Sequence, residues 1–158
     1  MAESDRRIAR ITLDERTVVR RSADIEHERA VAISDLLHEN SFSPTSGAAG
    51  PFHVNLGIEE NRLVLDLRDG GDKPLERVLL PLTPFRKIVK DYFFVCENYY
   101  NAVRTAEPSR IEAIDMGRRA LHDEGSELLR ERLAERVAVD FNTARRLFTL
   151  LCVLHIRA

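Results

Sequence analysis

The sequence of 158 residues has no tryptophan, only two cysteines and no long apolar run. The cysteines, Cys96 and Cys152, stand far apart and lack both a C-x-x-C pair and a neighbouring histidine pair, which argues against a disulfide scaffold and a zinc site. The longest apolar run, over 147–156, reaches only half of the roughly 20 residues that cross a bilayer. We therefore expect no bound metal and no insertion into a membrane.

An excess of charge of one sign is also lacking, because 24 basic and 26 acidic residues leave a formal net charge of -2. A global field that would draw the chain onto nucleic acid or an anionic membrane is therefore not expected. The N-terminal residues are charged and contain none of the apolar segment that is typical of a signal peptide. These observations favour a cytoplasmic protein.

The composition is that of a folded globular protein, with 44% apolar and 32% charged residues. A chain of this length fits a single domain that buries its own core. We expect one domain over residues 1–158, with a flexible loop at about 41–51, where serine, proline and glycine collect.

Alternating apolar and polar residues predict strands over 52–59, 63–67 and 75–82. Short turns join these strands, the first at Glu60 and Asn61, which favours an antiparallel meander. A weaker alternation over 8–13 predicts a fourth strand.

Helical periodicity and capping residues predict about five helices. The first runs from an N-cap at Asp24 to near Asn40, the second starts at Thr83-Pro84, the third opens with a capping box over 109–112 and ends within 123–126, the fourth covers 128–137, and the fifth is capped by Asp140. Because strands come before most of the helices, the fold class is α+β, a meander of three or four strands packed against the helices.

Four segments carry a resemblance to a known family. They are E-H-E-R-A-V-A-I at 26–33, T-P-F-R-K-I-V-K-D-Y-F at 83–93, I-E-A-I-D-M-G-R-R at 111–119 and A-R-R-L-F-T-L-L-C-V-L-H at 144–155. Together they resemble uncharacterised protein family number two hundred and sixty-two, a family of small alphaproteobacterial proteins. The resemblance implies a bacterial, cytoplasmic origin and carries no activity, cofactor or catalytic residue with it.

An enzyme hypothesis rests on the third predicted helix, where Glu112, Asp115, Arg119 and His122 share one face. If that face lines a cleft, the histidine and the carboxylates can exchange protons with an anionic substrate that the guanidinium binds. The simpler interpretation is an exposed Asp115–Arg119 ion pair beside a surface histidine, and we favour it.

A ligand-binding hypothesis rests on Arg86, Lys87 and Lys90 in the first turns of the second helix. These cations would bind phosphate, or an RNA strand whose bases stack on the nearby Phe94. The alternative is a solvated helix face on which Lys87 pairs with Asp91.

The fifth predicted helix is apolar on almost every side over 147–156. We expect it to be buried against the helix that begins at Pro84, near Tyr92 and Cys96, with the sheet behind both. The alternative is a partly exposed surface for self-association.

Sequence patterns of common enzymes, namely Walker A, G-x-S-x-G and G-x-G-x-x-G, are absent, so we expect no cofactor. This absence and the apolar fifth helix favour a non-enzymatic, cytoplasmic protein-binding or adaptor protein whose partner is another protein or a second copy. A small enzyme that acts on an anionic substrate and an RNA-binding accessory protein are the alternatives.

Overall fold

A computed structural model describes residues 6–15 and 23–155 of the chain. It contains six strands and four helices within those ranges: β1 (Ile8–Leu13), α1 (Ala23–His38), β2 (Phe42–Pro44), β3 (Phe52–Glu59), β4 (Arg62–Arg68), β5 (Pro74–Pro81), α2 (Arg86–Thr105), α3 (Pro108–Leu133), β6 (Val137–Val139) and α4 (Phe141–His155). A 3-10 turn, Thr83–Phe85, leads into α2. The α+β class is therefore confirmed.

The main sheet has the strand order β1-β3-β4-β5. Its last three strands form the predicted antiparallel meander, and the turn between β3 and β4 has positive φ angles at Glu60 and Asn61, 51° and 61°, as a tight hairpin turn requires. β1 pairs with β3 in the parallel direction, so the sheet is mixed and is more than a meander.

Two short strands form a second sheet that the sequence analysis did not predict. β2 pairs antiparallel with β6, and Phe42 lies opposite Val139. The second sheet corrects two predictions. The expected loop over 41–51 contains the strand β2, and the expected fourth helix over 128–137 cannot reach Val137, because Val137 belongs to β6. Strands of three residues are too short to show an alternation, and each finds its partner only far along the chain.

The prediction of about five helices is wrong, because the expected third and fourth helices are one continuous helix, α3. A Cβ atom at Gly125 would lie only 2.2 Å from the ring of Phe148, so the glycine permits close packing of α4. The hydroxyl of Ser126 donates a hydrogen bond to the carbonyl oxygen of His122, 2.6 Å away. A pair that is typical of a helix end therefore lies inside this helix.

Three of the predicted helix caps are also wrong. Asp24 already lies within α1, and α2 begins only after the 3-10 turn, whose own cap makes no side-chain hydrogen bond. α3 begins at Pro108, before the expected capping box, and its N-cap Glu107 makes no side-chain hydrogen bond.

The cap of α4 is confirmed. The backbone N–H of Thr143 donates to Oδ1 of Asp140 at 2.8 Å, which satisfies one of the free donors at the start of the helix.

The predicted burial of the last helix is confirmed over its described residues, since the side chains of 147, 148 and 150–154 are all buried. Its packing differs from the expectation, because α4 packs mainly against α3 and α1. It reaches α2 through the rings of Phe148 and Tyr92, whose centroids are 6.1 Å apart. A groove therefore remains between α2 and α4.

None of the helices in the described ranges is both long enough and apolar enough to cross a membrane.

Candidate functional site

A groove of about 620 Å³ lies between α2 and the C-terminal half of α4, and the start of α1 forms its third side. Much of its lining is apolar or aromatic: Ile25, Val89, Tyr92, Phe93, Cys96, Tyr100, Cys152 and Val153. This volume lies within the range of about 300–1,000 Å³ that is typical of binding pockets. The groove therefore offers a concave, largely apolar surface.

The two cysteines of the groove are buried and free. Burial raises the pKa of the Cys96 thiol to about 11, and burial also raises the pKa of Cys152. Since the thiolate is the nucleophile, both side chains act as apolar groups at neutral pH.

A carboxyl group and two phenols form a cluster where α1 meets α2. The Tyr92 hydroxyl donates to the Glu28 carboxylate at 3.4 Å, and the Tyr100 hydroxyl donates to the same carboxylate. Burial raises the pKa of Glu28, and burial likewise raises the pKa of Tyr92. The cluster joins the two helices and forms a wall of the groove.

Charged side chains stand along the rim. Arg86 and Lys90 lie at the first turns of α2, and neither forms an ion pair within the described part of the chain. Near the far end of α2, Arg104 lies 3.8 Å from the carboxylate of Asp24. One end of the groove therefore carries two cations with no carboxylate bound to them.

The structure brings together two of the three cations of the ligand-binding hypothesis. Arg86 and Lys90 line the groove, whereas Lys87 lines a different depression, which faces α3. Nζ of Lys87 lies 2.7 Å from Oδ2 of Asp91, which is the ion pair of the alternative interpretation. Phe94 is 66% exposed and does not line the groove.

The four residues of the enzyme hypothesis do not form one site. Glu112 is exposed, and Asp115 is partly buried with its carboxylate bound to two neighbouring guanidinium groups. Arg119 and His122 both line a second cavity, beneath α1.

His122 is not the surface residue that the simpler interpretation expected, since it is 8% exposed. Its Nε2 lies 2.8 Å from the hydroxyl of Thr149, and its ring packs against Tyr92 and Phe148. Burial lowers the pKa of His122 to about 4, and nearby Arg145 adds to the effect. The imidazole is therefore neutral at pH 7.

No three histidine, cysteine, aspartate or glutamate side chains come together in a metal-binding arrangement in the ranges 6–15 and 23–155.

Comparison with protein families gives one match, to the family described as "Uncharacterised protein family (UPF0262)", over residues 5–157. The chain belongs to this family. The chain is 61% identical to a UPF0262 protein of Rhodospirillum rubrum over 93% of its own length and 91% of that protein. It is 57% identical to one of Rhodopseudomonas palustris strain TIE-1 (97% and 94% of the two chains) and 57% identical to one of Paramagnetospirillum magneticum (96% of each).

The resemblance to an alphaproteobacterial family is thereby confirmed. No solved structure matches the chain.

The sequence analysis did not select several side chains that line the groove and the second cavity. Glu28, Arg118, Arg145 and Arg146 lie at the two cavities, yet none was selected. The available signal was the pair R-R, which occurs at 6–7, 20–21, 118–119 and 145–146, the last two within α3 and α4. Two helices that each carry a pair of adjacent arginines can form one positively charged surface when they pack side by side.

Proposed function

We propose that the protein is a non-enzymatic, cytoplasmic protein-binding protein, and that the groove between α2 and α4 holds an amphipathic helical segment of a partner protein. The observation that carries this proposal is the groove itself, an apolar floor with unpaired cations at one end. The wall on α2 extends from Arg86 to Arg104, about 27 Å at the helical rise of 1.5 Å per residue. A helix of about five turns has this length, which exceeds the need of a small molecule.

The lining indicates the chemistry of the partner. Val89, Phe93 and Tyr100 favour an apolar stripe with the i, i+3, i+4, i+7 spacing that helix-in-groove complexes use. Arg86 and Lys90 favour acidic residues at one end of the stripe, because complementary charges set the orientation of a bound segment. Buried thiols, which persist in reducing compartments, support the cytoplasmic part of the proposal.

The titratable groups of the groove support binding over catalysis. Both thiols have raised pKa values, and the Glu28 carboxylate already accepts hydrogen bonds from two phenols. The RNA-binding alternative needs Arg86, Lys87 and Lys90 on one surface, and the ion pair of Lys87 with Asp91 on another face of α2 speaks against it.

A pair of photo-crosslinking variants tests the proposal. A benzophenone side chain is introduced at Phe93, inside the groove, or at Phe94, the adjacent residue that lies outside it. After irradiation in cells, the crosslinked peptide is identified by mass spectrometry. We expect position 93 to yield one reproducible partner segment that is amphipathic and acidic at one end, and position 94 to yield none.

The identified segment is then synthesised and its affinity is measured. The double variant Arg86→Glu, Lys90→Glu should bind it about tenfold more weakly, since a lost charge-assisted contact changes binding by about 1.4 kcal/mol or more. Equal adducts from both positions, an adduct with a second copy of this chain or with RNA, or an affinity that charge reversal leaves unchanged would contradict the proposal.

A further inference from the structure

The second cavity, of about 270 Å³, lies between α1, α3 and α4. Glu28, Tyr92 and Thr149 line both this cavity and the groove, so they form the partition between them. Four guanidinium groups also line the cavity, two from α3 and two from α4: Arg118, Arg119, Arg145 and Arg146. Glu28 and Asp35 supply the carboxylates among its described lining residues, and Asp115 and Asp123, which are not among the lining residues, pair with three of its arginines.

The two arginines of α3 are held in place by one carboxylate. Nη2 of Arg118 lies 2.6 Å from Oδ1 of Asp115, and Nη2 of Arg119 lies 2.9 Å from Oδ2. The guanidinium of Arg118 also stacks on the ring of Tyr99, 4.6 Å from its centroid. Because one carboxylate serves two guanidinium groups, a positive charge and several N–H donors remain available.

The two arginines of α4 have weaker partners. The shortest N–O distance is 3.6 Å between Arg145 and Asp123 and 3.5 Å between Arg146 and Asp35, both longer than a good hydrogen bond. Nε of Arg145 is buried and has no hydrogen-bond acceptor among the described residues. A buried donor without an acceptor is costly, and the long distances leave the charges of both guanidinium groups only partly compensated.

The back of the cavity is neutral and polar. His122 and the hydroxyl of Thr149 are bonded to each other there. The charged groups that act on His122 are Arg118, Arg145, Arg146 and Asp123, and the three arginines all favour its neutral form. Because the imidazole is neutral, the charges of the arginines set the electrostatic potential of the cavity, and this potential attracts an anion.

We propose that this cavity binds a small anion that carries a phosphate group, with Arg119, Arg145 and Arg146 as its main donors. The planar fork of a guanidinium matches two phosphate oxygens, and guanidinium groups from two helices that line one cavity suit a tetrahedral anion better than a planar carboxylate. The volume accommodates inorganic phosphate or a phosphomonoester with a small substituent. This proposal does not depend on the partner proposed for the groove.

Calorimetric titration of the full chain at constant ionic strength tests the proposal. The probes are inorganic phosphate, glycerol phosphate and, as a planar control anion, acetate. We expect saturable binding of at least one phosphate probe, and the two phosphate titrations distinguish the free ion from an ester.

Matched variants locate the site. Arg119→Gln and Arg146→Gln each remove a cation that lines the cavity, and each should weaken phosphate binding about tenfold. Arg130→Gln removes an arginine that also lies on α3 and pairs with a carboxylate, but outside the cavity, and should change the affinity less than about twofold. Circular dichroism of each variant verifies that the fold is retained.

The imidazole of His122 gives a second readout by NMR. A bound anion should raise the pKa of His122, because it offsets the arginines that favour the neutral ring. No saturable binding of either phosphate probe, equal binding of acetate, or an equal loss of affinity in Arg130→Gln would overturn the proposal.

Discussion

The groove and the arginine-lined cavity lie on opposite sides of one partition, and they differ in almost every physical property. The groove has an apolar floor and thiols with raised pKa values, whereas the cavity has four guanidinium groups and a neutral imidazole. Both are lined by α4, with Cys152 and Val153 in the groove and Arg145 and Arg146 in the cavity. A helix that is nearly all apolar in its last turns can therefore serve two surfaces of opposite character.

The two regions depend on different forces. Affinity in the groove should follow mainly the buried apolar area and depend on salt only through Arg86 and Lys90, whereas affinity in the cavity should fall steeply as the ionic strength rises. The two regions share the packing of α4 on α3, so a change in that packing should affect both.

The largest expected effect comes from Phe148, which is fully buried and packs on Gly125, Tyr92 and His122. Phe148→Ala should lower the free energy of unfolding by about 3–5 kcal/mol, because it leaves a large void between the helices. Urea unfolding measures this change. The control Phe94→Ala, at an exposed position, should stay within about 0.5 kcal/mol, and a similar loss in both variants would show that the two rings are not packed differently.

The next effect concerns pH and distinguishes the cavity from the groove. The pKa of His122 falls from 6.5 to about 4 on folding. The unfolded chain therefore binds a proton at His122 at a higher pH than the folded chain does. The free energy of unfolding is unaffected by this group above pH 6.5 and decreases by up to about 3 kcal/mol as the pH falls from 6.5 to 4.

Urea unfolding at several pH values checks this expectation. His122→Gln should be less sensitive to pH in that window than the unaltered chain, whereas His38→Gln, at an exposed position, should keep the full dependence. Equal pH dependence in all three proteins would show that His122 is not buried as described.

A smaller effect is expected at the partition. Glu28→Ala leaves the phenols of Tyr92 and Tyr100 without their shared acceptor, which should cost about 1–2 kcal/mol of unfolding free energy. Asp24→Ala removes a more exposed carboxylate on the same helix and should cost less. If both substitutions give the same small change, the carboxyl–phenol cluster does not hold α1 on α2.

Local sequence patterns predicted the elements whose signal is contained in a few neighbouring residues. The alternation in β3 and β4, the turn at Glu60 and Asn61 and the cap at Asp140 all depend on such local chemistry. The helix end predicted within 123–126 is wrong, because a glycine that ends a helix and a glycine that admits a neighbouring ring, as Gly125 does, look the same in a sequence.

The candidate sites were harder to predict because they depend on packing between distant segments. Arg119 and His122 were selected for their shared helix face, but their neighbours Arg145 and Thr149 come from α4. Likewise, Glu28 receives its two hydrogen bonds from residues of α2. Helical spacing indicates which side chains share a face and does not indicate what that face meets.

The groove and the cavity are two separate sites, and one NMR titration tests this separation most directly. The pKa of His122 is measured with and without phosphate, in the unaltered chain and in Arg86→Glu, Lys90→Glu. The account predicts that phosphate raises this pKa equally in both proteins, since the reversed charges lie in the groove. An unchanged pKa in the unaltered chain, or a rise that disappears when the groove charges are reversed, would contradict it.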